Sequence, residues 1–324
     1  MNTMQVNNKK LKIVFFGTPD FAVASLDALH SAGVDIAAVV TMPDKPAGRG
    51  LKVIPSAVKR YAVDHGLPVL QPQKLKDPGF VEELRAIGAD LFIVIAFRML
   101  PEVVWSMPPL GTFNLHGSLL PRYRGAAPIN RAIMNGDTVT GVTTFFLRHE
   151  IDTGDIIDRE SIAIGPEDNA GDIHDRLMAL GARLTLATVR RIEAGNLTAT
   201  PQADIADMEP CPAPKIFTAD CRIIWNTPAA AIHNHVRGLS PYPGAWTTLI
   251  AEGAEPLHVK VFATRPTDVA ASSAPGTLHI SDGRLLVDTP TTQIEILTLQ
   301  PQGKRRMTAA EYLRGTRTPL LRVE

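Results

Sequence analysis

Cysteine is scarce: only Cys211 and Cys221 occur in 324 residues. Two thiols exclude a disulfide-stapled secreted scaffold and a four-thiolate zinc site, and they suit a reducing compartment. An excess of one charge is also missing. The 33 Lys and Arg cancel the 33 Asp and Glu, so no large field draws the whole molecule onto DNA or a membrane. Long apolar runs are missing as well. The longest, such as Leu91 to Phe97, are too short to span a bilayer. Met1 to Lys10 is polar, with no apolar stretch of signal-peptide length behind it. The expectation is a cytoplasmic protein without a membrane or DNA partner. Apolar surface, by contrast, is ample: 45% of residues are hydrophobic and 20% charged. Disorder is therefore not the dominant state, and the length suits two domains.

The first 195 residues alternate short apolar runs with amphipathic ones. Leu11 to Phe16, Ile36 to Met42, Val69 to Gln71, Leu91 to Ala96, Thr112 to His116 and Val142 to Leu147 read as strands. Helices are expected from Thr18 to Leu29, with Thr18 as cap, then over Pro55–His65, Phe80–Ile87 and Asp172–Ala194. Continuous apolar strands separated by helices predict a Rossmann-like α/β domain around a mostly parallel sheet. Ligands bind beyond the carboxyl ends of such strands. Four prolines between Asn196 and Asp220 mark a linker, placed at 201–220 between a domain at 1–200 and another at 221–324. The last part shows short strands at Cys221–Trp225, Trp246–Ile250, Leu257–Phe262, Gly276–Ile280, Leu285–Val287 and Gln293–Leu299, with one helix over Pro228–Leu239. That spacing predicts a small antiparallel, OB-like β-barrel. Residues 1–214 carry 21 basic against 24 acidic side chains, and residues 215–324 carry 12 against 9. A polyanion would prefer the C-terminal part.

The loop after the first strand, Gly17-Thr18-Pro19-Asp20, holds one glycine where a dinucleotide site wants three. A nicotinamide enzyme is not indicated. The strongest local signal is Asn114-Leu115-His116-Gly117 at a strand end. Residues two apart on a strand share a face, so the amide and the imidazole can reach one bound atom. An amide N–H donates to a developing oxyanion, and imidazole moves protons near neutral pH. Taken alone, such a pair also serves to satisfy backbone groups. The loop that follows, Ser118 to Gly125, adds two arginines, an aromatic and two leucines, a collection that suits a flat, partly anionic ligand. Asp152-Thr153-Gly154-Asp155 brings carboxylates to the same sheet edge, where one would hold the His116 ring and stabilise its imidazolium. Position does not choose between Asp152 and Asp155. Thr41 to Val53 is a Pro/Gly-rich loop with Lys45, Arg49 and Lys52, either a solvated surface loop or a basic finger for a phosphate backbone. Lys304-Arg305-Arg306 is a second basic cluster. The nine histidines lack metal-ligand spacing with the cysteines, and no metal is expected.

These segments resemble the methionyl-tRNA formyltransferases, a branch of the folate-dependent formyltransferase family. The resemblance rests on FFGTPDFA (Phe15 to Ala22), PDKPAGRG (Pro43 to Gly50), NLHGSLLPRYRGAAPI (Asn114 to Ile129), DTGDII (Asp152 to Ile157) and LQPQGKRRM (Leu299 to Met307). It implies formyl transfer from 10-formyltetrahydrofolate, as donor co-substrate, to the amino group of methionine on initiator Met-tRNA, by a monomer. It implies a catalytic trio of Asn114, His116 and Asp152, which chooses Asp152 over Asp155. It implies folate contacts at Ser118, Leu119, Leu120 and Pro121. For tRNA it points to Lys45 and Arg49 in the inserted loop, to Lys215 in the linker, and to Lys304, Arg305 and Arg306. The Ala96-Phe97-Arg98 turn departs from the family's Tyr-Gly pair at the pterin pocket. The alternative within the same chemistry is a formyltransferase acting on a small amine such as an amino sugar.

Overall fold

The computed structural model describes residues 10–47, 52–205, 208–316 and 318–324. The chain divides into two compact units. One comprises the residues up to Arg124 with Gly141–Ser161 and Asp175–Cys211. The other comprises Gly125–Thr140, Ile162–His174 and Pro212–Glu324.

The first unit is built on alternation. Strand β1 (Lys12–Gly17) leads into helix α1 (Asp20–Ser31), then β2 (Asp35–Val40). A two-stranded arm follows, β3 (Lys45–Ala47) paired antiparallel with β4 (Lys52–Ile54). Then come α2 (Ala57–Asp64), β5 (Val69–Leu70), α3 (Pro78–Ile87), β6 (Leu91–Ile95), α4 (Glu102–Trp105), β7 (Thr112–His116) and β8 (Arg122–Gly125). After α5 (Pro128–Met134), which belongs to the second unit, the chain adds β9 (Val139–Phe146), β10 (Ile156–Ala163) and the long α6 (Ala170–Glu193). The sheet order is β10-β9-β7-β6-β1-β2-β5. The β6–β1, β1–β2, β2–β5 and β6–β7 pairs are parallel, and β9 runs antiparallel to β7. The α/β, mostly parallel expectation therefore holds. Ile13, Val14, Phe15, Phe16, Leu91, Ile93 and Ile95 are fully buried or nearly so, as strands covered on both faces require. Helix α6 seats closely on β7. A Cβ on Gly181 would lie 2.5 Å from the Leu115 side chain, so any larger residue there would displace Leu115.

Two local expectations need correction here. The cap of α1 is Pro19, with no side-chain cap hydrogen bond, and Thr18 Oγ1 is buried without a partner instead of capping. Strand β10 was not expected. Its outer half carries Asp158, Arg159 and Glu160 and is largely open, as an edge strand tolerates.

In the second unit, β11 (Cys211–Ala213) precedes α7 (Ala229–Gly238), then β12 (Ala245–Ala251), β13 (Leu257–Ala270), β14 (Leu278–Ser281), β15 (Arg284–Asp288), β16 (Thr292–Pro301), β17 (Met307–Thr308), α8 (Ala309–Gly315) and β18 (Leu320–Val323). The antiparallel sheet runs β14-β15-β16-β13-β12-β18. Its two edges meet where Thr277 bridges Arg322 and Val323 N–H donates to Gly276 O at 2.8 Å. The barrel is thereby nearly closed, which removes the exposed edges. Cys221–Trp225 is not a strand. A 3-10 turn occupies Thr218–Cys221, and Arg222 makes a single bridge to Trp246. Cys221, Ile223 and Trp225 alternate into the core without a ladder. Helix α8 and strand β18 are further elements beyond those expected.

Candidate active site

Strand β7 lies between β6 and β9, with Asn114 opposite Val94 and Phe145, and His116 opposite Thr143. The apolar neighbours exclude water, and the strand end delivers two polar side chains to one face. His116 is 7% exposed. Its Nε2 lies 2.7 Å from Tyr123 O. A carbonyl only accepts, so Nε2 carries the proton and donates. Its other ring nitrogen, Nδ1, lies 3.7 Å from Asp152 Oδ2. That is charge contact without a hydrogen bond, and it leaves Nδ1 as the nitrogen that can gain or lose a proton. Asn114 Oδ1 is buried with no hydrogen-bond partner among the described residues. A buried amide oxygen left unpaired costs about 1–3 kcal/mol, and it fits a site that pairs with an incoming reactant. Of the expected trio, His116 and Asp152 thus meet, and Asn114 lies two residues from His116 on the same face of β7.

Asp152 reaches His116 from an unusual turn. Its φ is +54°, the left-handed region that L-residues rarely enter. Gly154, two residues on, sits against β9 so closely that a Cβ would lie 1.6 Å from Phe146 O. Asp155 turns away, its carboxylate accepting from Arg148 at 2.6 Å. The two carboxylates that position could not separate are therefore separated by geometry.

The run Ser118 to Pro121 is mostly internal. Ser118, Leu120 and Pro121 are buried, and only Leu119 is partly exposed. Ser118 Oγ donates to Arg122 O at 2.6 Å, Thr143 Oγ1 donates to Ser118 O at 2.7 Å, and Leu120 packs with Phe145 and Ile156. Contact with a flat ligand from this run falls to Leu119 and to the backbone. At the Ala96-Phe97-Arg98 turn, Ala96 has φ +48°. The Arg98 guanidinium donates to Gln73 O at 3.0 Å and to Pro72 O, and burial pulls its pKa down.

Of the residues expected at tRNA, Arg49 lies outside the described residues, and of Lys45 only the backbone strand is described. The base of that arm is anchored. The Asp44 carboxylate accepts from Lys59 and from Gln71 Nε2, and these two bonds hold it below the ordinary aspartate value. In the second unit Lys215 is exposed, with Nζ 5.4 Å from the Phe217 ring centroid. Lys304, Arg305 and Arg306 are exposed. Arg305 pairs with Glu311 at 2.9 Å, and the Arg306 guanidinium lies 3.4 Å from the Phe262 ring centroid.

Two residues near the trio were not anticipated, Arg124 and Gln202. Arg124 lies within the Asn114 to Ile129 segment, where the sequence gives it no separate role. Gln202 stood in the proline-rich stretch, where nothing in the local pattern marked it. Among the described residues no cluster of three or more His, Cys, Asp or Glu could hold a metal ion, and no helix is long and apolar enough to cross a membrane.

Residues 11–189 match the family described as formyl transferase, and residues 215–317 match its C-terminal domain. The chain is 52% identical over 313 residues to a methionyl-tRNA formyltransferase of Bacteroides fragilis, covering 96% of both chains. It is 52% identical over 317 residues to one from Parabacteroides distasonis, covering 96% of this chain and 97% of the other. Among solved structures it superposes on WlaRD, a sugar 3N-formyl transferase, with a TM-score of 0.65 at 18% identity, covering 92% of this chain and all of that one. HypX from Aquifex aeolicus, solved with tetrahydrofolic acid, gives 0.63 at 18% identity over 94% of this chain and 47% of that one. Those two show the shared fold. By the identity and coverage of its relatives, the chain belongs to the methionyl-tRNA formyltransferase family.

Proposed function

We propose that this chain transfers the formyl group of 10-formyltetrahydrofolate to the α-amino group of methionine on initiator Met-tRNA, with Asn114, His116 and Asp152 at the reacting atoms. The observation that carries the reading is the meeting of His116 Nδ1 and Asp152 at 3.7 Å, with Asn114, whose Oδ1 is unpaired among the described residues, two positions from His116 on the same strand face. In the reaction a C–N bond forms from the amine to the formyl carbon, and the bond from that carbon to the donor nitrogen breaks. The amine loses a proton and the donor nitrogen gains one. Asn114 stabilises the negative charge that develops on the formyl oxygen. His116, fixed by its donation to Tyr123 O, handles the proton at Nδ1, and Asp152 balances the positive charge on the ring. Leu119 supplies an apolar wall for the folate. Lys45, Arg49, Lys215, Lys304, Arg305 and Arg306 meet tRNA phosphates.

The test is a transfer assay offering Met-tRNA, free methionine and an amino sugar side by side with the same donor. Formylation of Met-tRNA alone is expected. Turnover of the amino sugar in preference to Met-tRNA would overturn the substrate assignment.

A further inference from the structure

We propose that Gln202, held by Arg124, is a positioning residue that fixes Asp152 against His116; the proposal rests on the trio assigned above. Gln202 is 5% exposed, in a short 3-10 turn at Gln202–Asp204. Its Nε2 donates to Asp152 O and to Gly154 O, both at 2.8 Å. Its Oε1 accepts from Arg124 Nε at 3.0 Å and from Arg124 Nη2 at 2.6 Å. A guanidinium has no acceptor and a carbonyl has no donor, so the amide can sit only this way round, with both donors and both lone pairs used. The segment that carries Gln202 is itself set in register, because Ile156 and Thr200 exchange two backbone hydrogen bonds of 2.8 Å.

The two carbonyls clamped by Gln202 flank the turn in which Asp152 takes its left-handed conformation. Such a conformation costs about 1–3 kcal/mol and persists where its surroundings over-determine it. Arg124 also directly follows Tyr123, whose carbonyl accepts the hydrogen bond from His116 Nε2. One buried amide thus joins the residue beyond His116 Nε2 to the residue beyond Nδ1, and fixes the ring from both sides. A general acid–base displaced by about 1 Å can lose on the order of 10² in rate.

The experiment is a double-mutant cycle on the full-length enzyme. Gln202→Glu keeps the shape and places oxygen against the two carbonyls. It should lower kcat about 10- to 100-fold while KM for Met-tRNA and for the folate donor stays within about threefold. In the Asp152→Ala background the same change should cost less than about twofold, because its effect runs through Asp152. Should Gln202→Glu fail to fold, Arg124→Lys loosens the clamp more gently and should show a smaller kcat loss, again absorbed by Asp152→Ala. Unchanged kcat, a loss confined to KM, or a loss that multiplies in the Asp152→Ala background would overturn the proposal and leave the trio standing. An Asp152→Ala enzyme at the parental rate would overturn both.

Discussion

The α/β unit and the barrel handle awkward backbone and buried polar groups differently. In the α/β unit, non-glycine residues with left-handed backbone occur at Ala96, Tyr123 and Asp152. Ala96 follows β6, Tyr123 accepts from His116, and Asp152 faces it. Asn114 adds a buried acceptor with no partner. Among the described residues of the barrel, the non-glycine left-handed residue is Asp282, at the tip of the β14–β15 hairpin, where such a turn needs it. Its buried carboxylate is matched: Asp288 accepts from His279 at 2.8 Å and from Gln293 at 2.9 Å. Burial opposes the charge of Asp288, yet these bonds hold its pKa below the ordinary value. Left-handed backbone and an unpaired Asn114 oxygen gather where chemistry is proposed, while in the second unit the Asp288 carboxylate is paired and His235 Nε2 is the buried side-chain atom without a partner on α7 among the described residues. That is the pattern expected when one unit reacts and the other carries.

The contrast can be broken by the same substitution in both regions. Gly154→Ala drives a methyl into Phe146 O. It should cost at least about 3 kcal/mol, or else remodel the Asp152 turn. Gly283→Ala meets nothing within 4 Å but has φ +74°, so its cost should be about 1–2 kcal/mol. Chemical denaturation of the two variants measures both. Equal costs would show that the turn at Gly154 is no tighter than the hairpin.

A smaller effect sharpens the barrel side. Glu311 accepts from the Thr308 backbone and from Arg305 and Thr308 side chains, which hold its pKa down to about 2 against 4.5 when unfolded. The folded state therefore binds fewer protons. The stabilisation is fully present above about pH 4.5 and is lost as pH falls through that value toward 2. Glu311→Gln should flatten the fall of Tm over that window, lying below the parent at pH 7 and converging with it as pH falls toward 2. A parallel, unflattened curve would contradict the capping role.

Much of this was legible from residues alone. Ile13 to Phe16 and Leu91 to Ile95 are buried on both faces, and that leaves an unbroken apolar signature. The period of two placed Asn114 and His116 together before any coordinates. Strand β10 was not legible, because Asp158-Arg159-Glu160 on an edge carry neither an apolar run nor clean alternation. Cys221, Ile223 and Trp225 misled in the opposite direction: they alternate because they plug the barrel core, and no neighbouring strand pairs along them. Helix α8 is announced in the sequence by Thr308 and Glu311, a capping box, just after the basic residues Lys304 to Arg306. Gln202 was beyond reach. Its partners lie 48, 50 and 78 positions away, and no local pattern encodes such a contact.

The most direct measurement is single-turnover formyl transfer with donor and Met-tRNA both saturating, comparing the parent with Asn114→Ala and His116→Ala. The account predicts a fall of about 10²–10³ for Asn114→Ala and about 10²–10⁴ for His116→Ala, with Kd for Met-tRNA unchanged. Full chemical rate combined with weakened tRNA binding would contradict it.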